Sequence, residues 1–154
     1  MLRCDHVVFP VWDASASLEF YGKVLGLPLV EALAGEDWGG KPWLMMIFAL
    51  GGGVELVLVA LRGADQPAPD GLAADTRHYA FSVASRSEQD AWRRKLQKAG
   101  VTLWEEDHGA QHSLYFSDPN GVVLEITNPP SKPAATNNPA AMAFARSWTS
   151  EAIA

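Results

Sequence analysis

Four residues with metal-binding side chains occupy matching places in the two halves of the chain: His6, Glu55, His78 and Glu125. Imidazole nitrogens and carboxylate oxygens together bind divalent ions such as Zn, Ni, Co, Mn or Fe. His6 and Glu55 are 55 − 6 = 49 residues apart, and His78 and Glu125 are 125 − 78 = 47 residues apart. This spacing predicts that each half supplies one histidine and one glutamate to a single divalent metal ion.

The sequence around the two glutamates supports this hypothesis. Glu55 lies in the run VELVLV and Glu125 in the run VVLEI, both apolar at successive positions. Such runs are typical of strands that are covered on both faces. An ionised carboxylate buried there needs a metal ion or a basic partner to offset the loss of hydration. We therefore expect Glu55 and Glu125 to point inward and to be paired.

The first half of the chain contains a strand, a helix and three further strands. Asp13 is placed to cap a helix that runs to about Leu25, with Gly26 as its stop signal. Leu18, Tyr21 and Leu25 recur at helical spacing and predict its buried face. The predicted strands cover residues 4–11, 27–33, 43–50 and 54–60.

The second half repeats this order. Ser85 or Ser87 caps a predicted helix that ends at Ala99, before Gly100. The predicted strands cover residues 77–83, 101–105, 113–117 and 122–127, and the turn sequence DPNG at 118–121 joins the last two. The repeated order indicates an internal duplication.

The repeat defines the expected domain organisation. One domain covers residues 1–128, with module one at about 4–60, a linker at about 61–75 and module two at about 76–128. Residues 129–154 have no counterpart in the first half. They predict a proline-rich arm followed by a short helix from residue 140 to 154, with Met142, Phe144 and Trp148 available for packing.

Composition limits the classes of function. Hydrophobic residues make up 48% and charged residues 19%, which suits a folded domain with a real core. The net charge of −6 has no basic stripe, so we expect no nucleic-acid partner. We also find no membrane-length apolar run and no secretory signal, and Cys4 is the single cysteine. A cytoplasmic location is the resulting expectation.

The ordered motifs resemble those of the vicinal oxygen chelate superfamily. They are His6, the helix LEFYGKVLGL at 18–27, Glu55, His78, and YFSDPNG at 115–121 ahead of Glu125. The superfamily includes glyoxalase I, extradiol dioxygenases, fosfomycin-modifying thiol transferases and metal-free bleomycin-binding proteins. The resemblance covers residues 4–128 and implies an α+β fold, in which two tandem βαβββ modules form a curved mixed sheet around a metal site. It also implies a homodimer.

The resemblance implies an enzyme that holds a small-molecule substrate through two vicinal oxygens. Glyoxalase I is similar in having His, Glu, His and Glu at these four places, which favours a metal-dependent lyase or isomerase. Glu55 or Glu125 would then also serve as the catalytic base.

Two alternatives remain at this point. An Fe(II) extradiol-type dioxygenase would use His6, His78 and Glu125 alone, with His112 or His108 as an acid or base. A metal-free binding protein would use aromatic residues as a ligand cleft, and the chain has six tryptophans. Thiol transfer ranks lower, since the loop EDHGAQ at 106–111 does not resemble the cation-binding loop of that group. Glutathione chemistry is also in question, because Glu31 would be a poor neighbour for an anion.

Overall fold

A computed structural model describes residues 3–132 and 136–150, and the first module follows the predicted order. The order is strand, helix and three strands. Its elements are β1 (His6–Val11), α1 (Ala14–Glu19), a π-helical turn (Phe20–Val24), β2 (Leu29–Gly35), β3 (Trp43–Ala49) and β4 (Glu55–Leu61).

The second module repeats this arrangement and is followed by one more helix. Its elements are β5 (His78–Ser82), α2 (Arg86–Lys98), β6 (Trp104–Asp107), β7 (His112–Ser117) and β8 (Val123–Asn128), and α3 (Pro139–Ser150) follows. The two predicted helix caps are confirmed. Asp13 accepts a hydrogen bond from the Ala16 amide, and Ser85 accepts one from the Glu88 amide.

The strands form two four-stranded sheets, one from each module. Sheet 1 has the order β1-β4-β3-β2 and sheet 2 the order β5-β8-β7-β6. In each sheet the first strand pairs in parallel with the last one, and the other pairings are antiparallel. The predicted α+β fold of two βαβββ modules is therefore confirmed, with the curved surface divided between two sheets.

One hydrophobic core joins the two modules. Phe9, Leu56 and Leu58 of sheet 1 share it with Phe116 and Leu124 of sheet 2. Strand alternation brings these side chains to one face of each sheet, beside the helices. The opposite face of each sheet points away from this core, and we call it the open face.

A polar clamp also connects the modules at the start of α1. The side-chain oxygen of Asn120 accepts hydrogen bonds from the Trp12 and Asp13 amides, at 2.7 and 3.1 Å. The side-chain amide of Asn120 donates to Ser17 and Asp118. The turn of the second module thus satisfies backbone donors at a helix start of the first module.

The tail differs from the rest of the molecule. The predicted C-terminal helix is present as α3, while positions 151–154 of that prediction, and Pro133 of the predicted arm, lie outside the described residues. Phe144 is 75% exposed and Trp148 is 67% exposed, so neither packs on the chain's own core. Across residues 3–132 and 136–150, no helix has the length and apolar character needed to cross a membrane.

Replacement of Asn120 should uncouple the two modules. We expect Asn120→Ala to lower the free energy of unfolding by about 2–4 kcal/mol, because it leaves several buried partners without hydrogen bonds. Urea unfolding measures this change. The control Asn137→Ala alters an exposed residue and should stay close to wild type. A loss equal to that of the control would contradict the clamp.

Removal of α3 should leave the body of the protein intact. We expect truncation after Lys132 to leave the thermal midpoint nearly unchanged but to weaken self-association, because it removes Phe144 and Trp148, whose exposed side chains are available to contact a second copy in the full chain. Calorimetry and sedimentation of the same sample provide the two readouts. Unchanged association would show that the helix has no role in pairing.

Candidate metal centre

The strongest candidate site lies on the open face of sheet 2. The Nε2 atom of His78 lies 3.0 Å from a carboxylate oxygen of Glu125. Glu125 is only 7% exposed, although its side chain points away from the hydrophobic core. Ser113 donates a hydrogen bond to the other carboxylate oxygen and also contacts Thr127. The sequence-predicted pair of His78 and Glu125 is therefore in direct contact.

The protonation of His78 follows from its second nitrogen. Nδ1 lies 2.8 Å from the carbonyl oxygen of Asp75, and because a carbonyl can only accept, Nδ1 carries a proton. The Nε2 atom of neutral His78 then has a lone pair directed at the Glu125 carboxylate. This contact requires a proton between the two groups or a cation that both groups can bind.

A divalent cation fits this pair. Two ligands about 2.1 Å from one ion and at right angles to each other are about 3.0 Å apart, close to the observed separation. Metal-bound histidines also donate their other ring nitrogen to a carbonyl or carboxylate, as His78 does to Asp75. The donor set and its supporting hydrogen bonds therefore suit a metal ion.

His6 provides a second half-site on the open face of sheet 1. Its Nδ1 atom lies 2.9 Å from a carboxylate oxygen of Asp5, so Nε2 is again the free nitrogen. Glu55 is its direct partner across the parallel β1–β4 pair, and both side chains are exposed. Directly paired residues share one face of a sheet. The sequence-predicted residues of module one are thus neighbours as well, but the expectation that Glu55 points inward is wrong, because its side chain is exposed at the start of β4.

The register nevertheless places the two glutamates differently. His6 pairs with Glu55, whereas His78 pairs with Val123, and Glu125 lies two residues further along β8. The antiparallel pairs β3–β4 and β7–β8 show the same correspondence between Glu55 and Val123, since Ala49 pairs with Glu55 and Ser117 pairs with Val123. The position in module one that matches Glu125 is therefore Val57. The similar spacing read from the sequence does not make Glu55 the structural counterpart of Glu125.

The four predicted ligands do not meet within one chain. In residues 3–132 and 136–150, no group of three His, Cys, Asp or Glu side chains is close enough to hold a metal ion. His78 and Glu125 form one pair, and His6 and Glu55 form the other on a separate sheet. A centre that includes residues of both sheets needs the open faces of two chains.

Several aromatic residues extend the face of sheet 2. Trp104 stacks on Tyr115 with ring centroids 5.4 Å apart, and Tyr115 meets His78 edge-on at 5.6 Å. The Nε2 atom of His108 lies 3.1 Å from the Tyr115 hydroxyl. Burial and the negative charge of Glu125 raise the pKa of Tyr115 above its ordinary value. Tyr115 therefore stays a neutral phenol at neutral pH.

His112 lies on the other side of sheet 2. It pairs with Glu105 at 3.3 Å, and Arg93 also binds this carboxylate at 2.7 Å. The hydrogen bond from Arg93 lowers the pKa of Glu105. The sequence-based hypothesis of His112 as acid or base at the metal is therefore not supported, because its side chain lies on the helix-covered face. His108 is the histidine near the candidate site.

The sequence contained a signal that His112 lies on the opposite side of its strand from Ser113 and Tyr115. His112 alternates with Leu114 and Phe116, which are core residues, whereas Ser113 alternates with Tyr115. Strand alternation alone assigns His112 to the core side and Ser113 and Tyr115 to the open face. Sequence reasoning missed Ser113 and Tyr115 because neither residue is a strong metal ligand.

The fold agrees with a known protein family. The family model described as the Glyoxalase/Bleomycin resistance protein/Dioxygenase superfamily matches residues 3–126, and the chain belongs to this superfamily. The glutathione transferase FosA of Serratia marcescens is 31% identical over 122 residues, which cover 79% of this chain and 77% of that protein. The metallothiol transferase FosB of Bacillus licheniformis is 27% identical over 129 residues, which cover 82% and 75%.

A solved structure supports the same assignment. The glyoxylase/bleomycin resistance protein/dioxygenase domain from Frankia sp. EAN1pec superposes with a TM-score of 0.66 at 25% identity, and the match covers 82% of this chain and 97% of that domain. The two curated relatives are a glutathione transferase and a metallothiol transferase, a class ranked lower from the sequence alone.

Loss of the Ser113 hydroxyl should weaken the metal centre. We expect Ser113→Ala to lower metal affinity about 10-fold, because the hydroxyl orients the Glu125 carboxylate. Competition with a chelator dye measures the affinity. Ser117→Ala is a matched control on the same strand, since Ser117 is exposed and makes no contact with Glu125. Equal affinities of the two variants would rule out this role.

Proposed function

We propose that this protein is a metal-dependent, glyoxalase-like enzyme that acts on a small substrate held through two vicinal oxygens. The observation that carries the proposal is the contact between His78 and Glu125 on an open sheet face, with His78 in the tautomer that leaves Nε2 free. Membership of the glyoxalase superfamily supports it.

The metal centre of this proposal contains residues from two copies of the chain. His78 and Glu125 of one copy hold the ion together with His6 of the second copy. In a homodimer with two such sites, the open face of sheet 1 in each copy lies against the open face of sheet 2 in the other copy. The hydrophobic core within each chain stays unchanged. A divalent ion held there supplies a Lewis acid for two substrate oxygens and for the negative charge that develops on one of them.

Glu55 has a separate part in this proposal. It neighbours His6 on the open face, but it is offset by two residues from the position that matches Glu125. We therefore assign Glu55 to proton transfer beside the metal, with ligation as the fourth ligand as the alternative. A carboxylate next to the chelated substrate can move a proton between adjacent carbons, as an isomerase or lyase requires.

Thiol transfer is the second candidate function. The observation in its favour is the similarity to a glutathione transferase and a metallothiol transferase. In this case Glu55 would not need to carry a proton between carbons. The proposed ligands are two histidines and one carboxylate, which is also the ligand set of extradiol-type dioxygenases. Oxygen uptake with catechols is therefore measured in the same series of assays.

Mixing two inactive variants tests the shared centre. His6→Ala and His78→Ala should each lose most of their bound metal, since each removes a ligand from every site. Co-expressed variants should recover about a quarter of the wild-type metal content, because half of the randomly assorted dimers are mixed and each has one intact site. Metal analysis of the purified dimers gives the answer. No recovery would contradict a centre shared between chains.

Replacement of Glu55 separates the candidate reactions. We expect Glu55→Gln to retain metal but to lower turnover of a hemithioacetal by about 100-fold or more, the contribution of a general base. Metal content and turnover are measured on the same preparation, with the exposed Glu36→Gln as control. Metal loss in Glu55→Gln would instead identify a fourth ligand. Unchanged glutathione consumption by the variant with an epoxide would favour thiol transfer.

A further inference from the structure

We propose that the substrate of this centre is uncharged apart from its two chelating oxygens and has an apolar or aromatic body. The inference rests on the proposed function, because it assumes that the open faces of the two sheets meet around the metal. It follows from the residues that line these faces. A substrate with an additional carboxylate, phosphate or phosphonate group would be disfavoured.

Sheet 1 contributes an apolar wall. In the parallel register, Val57 of sheet 1 occupies the position that Glu125 has in sheet 2, and Val59 occupies that of Thr127. In the antiparallel register, Met45 corresponds in position to Ser113, and Ile47 corresponds to Tyr115. Every polar residue of the candidate centre on sheet 2 except His78 thus has an aliphatic or thioether counterpart on sheet 1. A wall of this kind favours an apolar substrate body.

Sheet 2 contributes aromatic rings and negative charge. The half-buried Trp104 stacks on the buried Tyr115, whose ring meets His78 edge-on, so aromatic side chains form the face beside His78. The Glu106 carboxylate lies 3.6 Å from His108 on the same side of the sheet. A bound divalent ion would offset the charge of its ligand Glu125, so Glu106 is the acidic group that remains on this face, and Glu55 adds a second one from sheet 1.

Three arginines of the second module are engaged elsewhere. Arg77, next to His78 in the sequence, pairs with Asp70. Arg93 and Arg86 serve the helix-covered side, where they bind Glu105 and Gln89. Within the described ranges, no hydrogen bond or ion pair joins an arginine or lysine to His78, Glu125, Ser113, Tyr115 or His108. An anionic group beyond the metal would therefore meet the Glu106 carboxylate on sheet 2 without a basic partner on that sheet.

A matched pair of chelators tests the inference. The protein is loaded with Co(II), whose visible absorption reports ligand binding, and is titrated with 4-methylcatechol and with 3,4-dihydroxybenzoate. Both present the same two vicinal oxygens, and the second adds one carboxylate. After correction for their affinities toward free Co(II), we expect 4-methylcatechol to bind at least about 10-fold more tightly. A bulkier 4-tert-butylcatechol should bind more tightly still.

Variants assign the discrimination to named residues. Glu106→Gln should narrow the difference between the two catechols, and the exposed Glu36→Gln should leave it unchanged. Equal affinities, or tighter binding of 3,4-dihydroxybenzoate, would overturn the inference while leaving the proposed chelating function intact. Bound Co(II) whose spectrum responds to neither catechol would overturn the chelating function. A protein that takes up no Co(II) would overturn both.

Discussion

The burial of one face of each sheet in a single hydrophobic core is the constraint on which the rest of the structure depends. Phe9 and Leu58 of sheet 1 meet Phe116 and Leu124 of sheet 2 in that core. Because strand side chains alternate, the residues between them must face outward. His6 and Glu125 are therefore directed away from the centre of the chain. The apolar packing that stabilises the fold is the same packing that separates the half-sites.

The polar clamp fixes the relation between the modules. Asn120 is buried, and its side chain uses both of its oxygen lone pairs and its amide hydrogens on partners that include Trp12, Ser17 and Asp118. Tyr21 also donates to Asp118, and burial together with the Asp118 charge raises the pKa of this phenol. These directional bonds add geometric specificity that apolar contacts alone do not provide. They connect the turn after β7 to the helix after β1, and so join the two modules that carry the half-sites.

The candidate centre combines strong local order with an incomplete ligand set. The Asp75 carbonyl orients His78, and the Ser113 hydroxyl orients Glu125. An imidazole with a proton on Nδ1 and a carboxylate at Nε2 is electrostatically complete only with a shared cation or a second proton. Such an arrangement suits a preformed half of the proposed metal centre, whose other half would come from a second copy of the chain.

The sequence by itself determined the module order, the helix caps at Asp13 and Ser85, and the residue types of the candidate centre, because these depend on patterns within a few residues. The family resemblance read from its motifs was confirmed. Only the tertiary structure decided that Glu55 lies opposite His6 while Glu125 lies two residues beyond the partner of His78. It also decided that His6 and His78 lie on separate sheets, and that His108 lies at the candidate centre while His112 does not. The reason is physical: side-chain alternation is a local property, whereas register and sheet packing depend on hairpin geometry and on contacts between residues far apart in the chain.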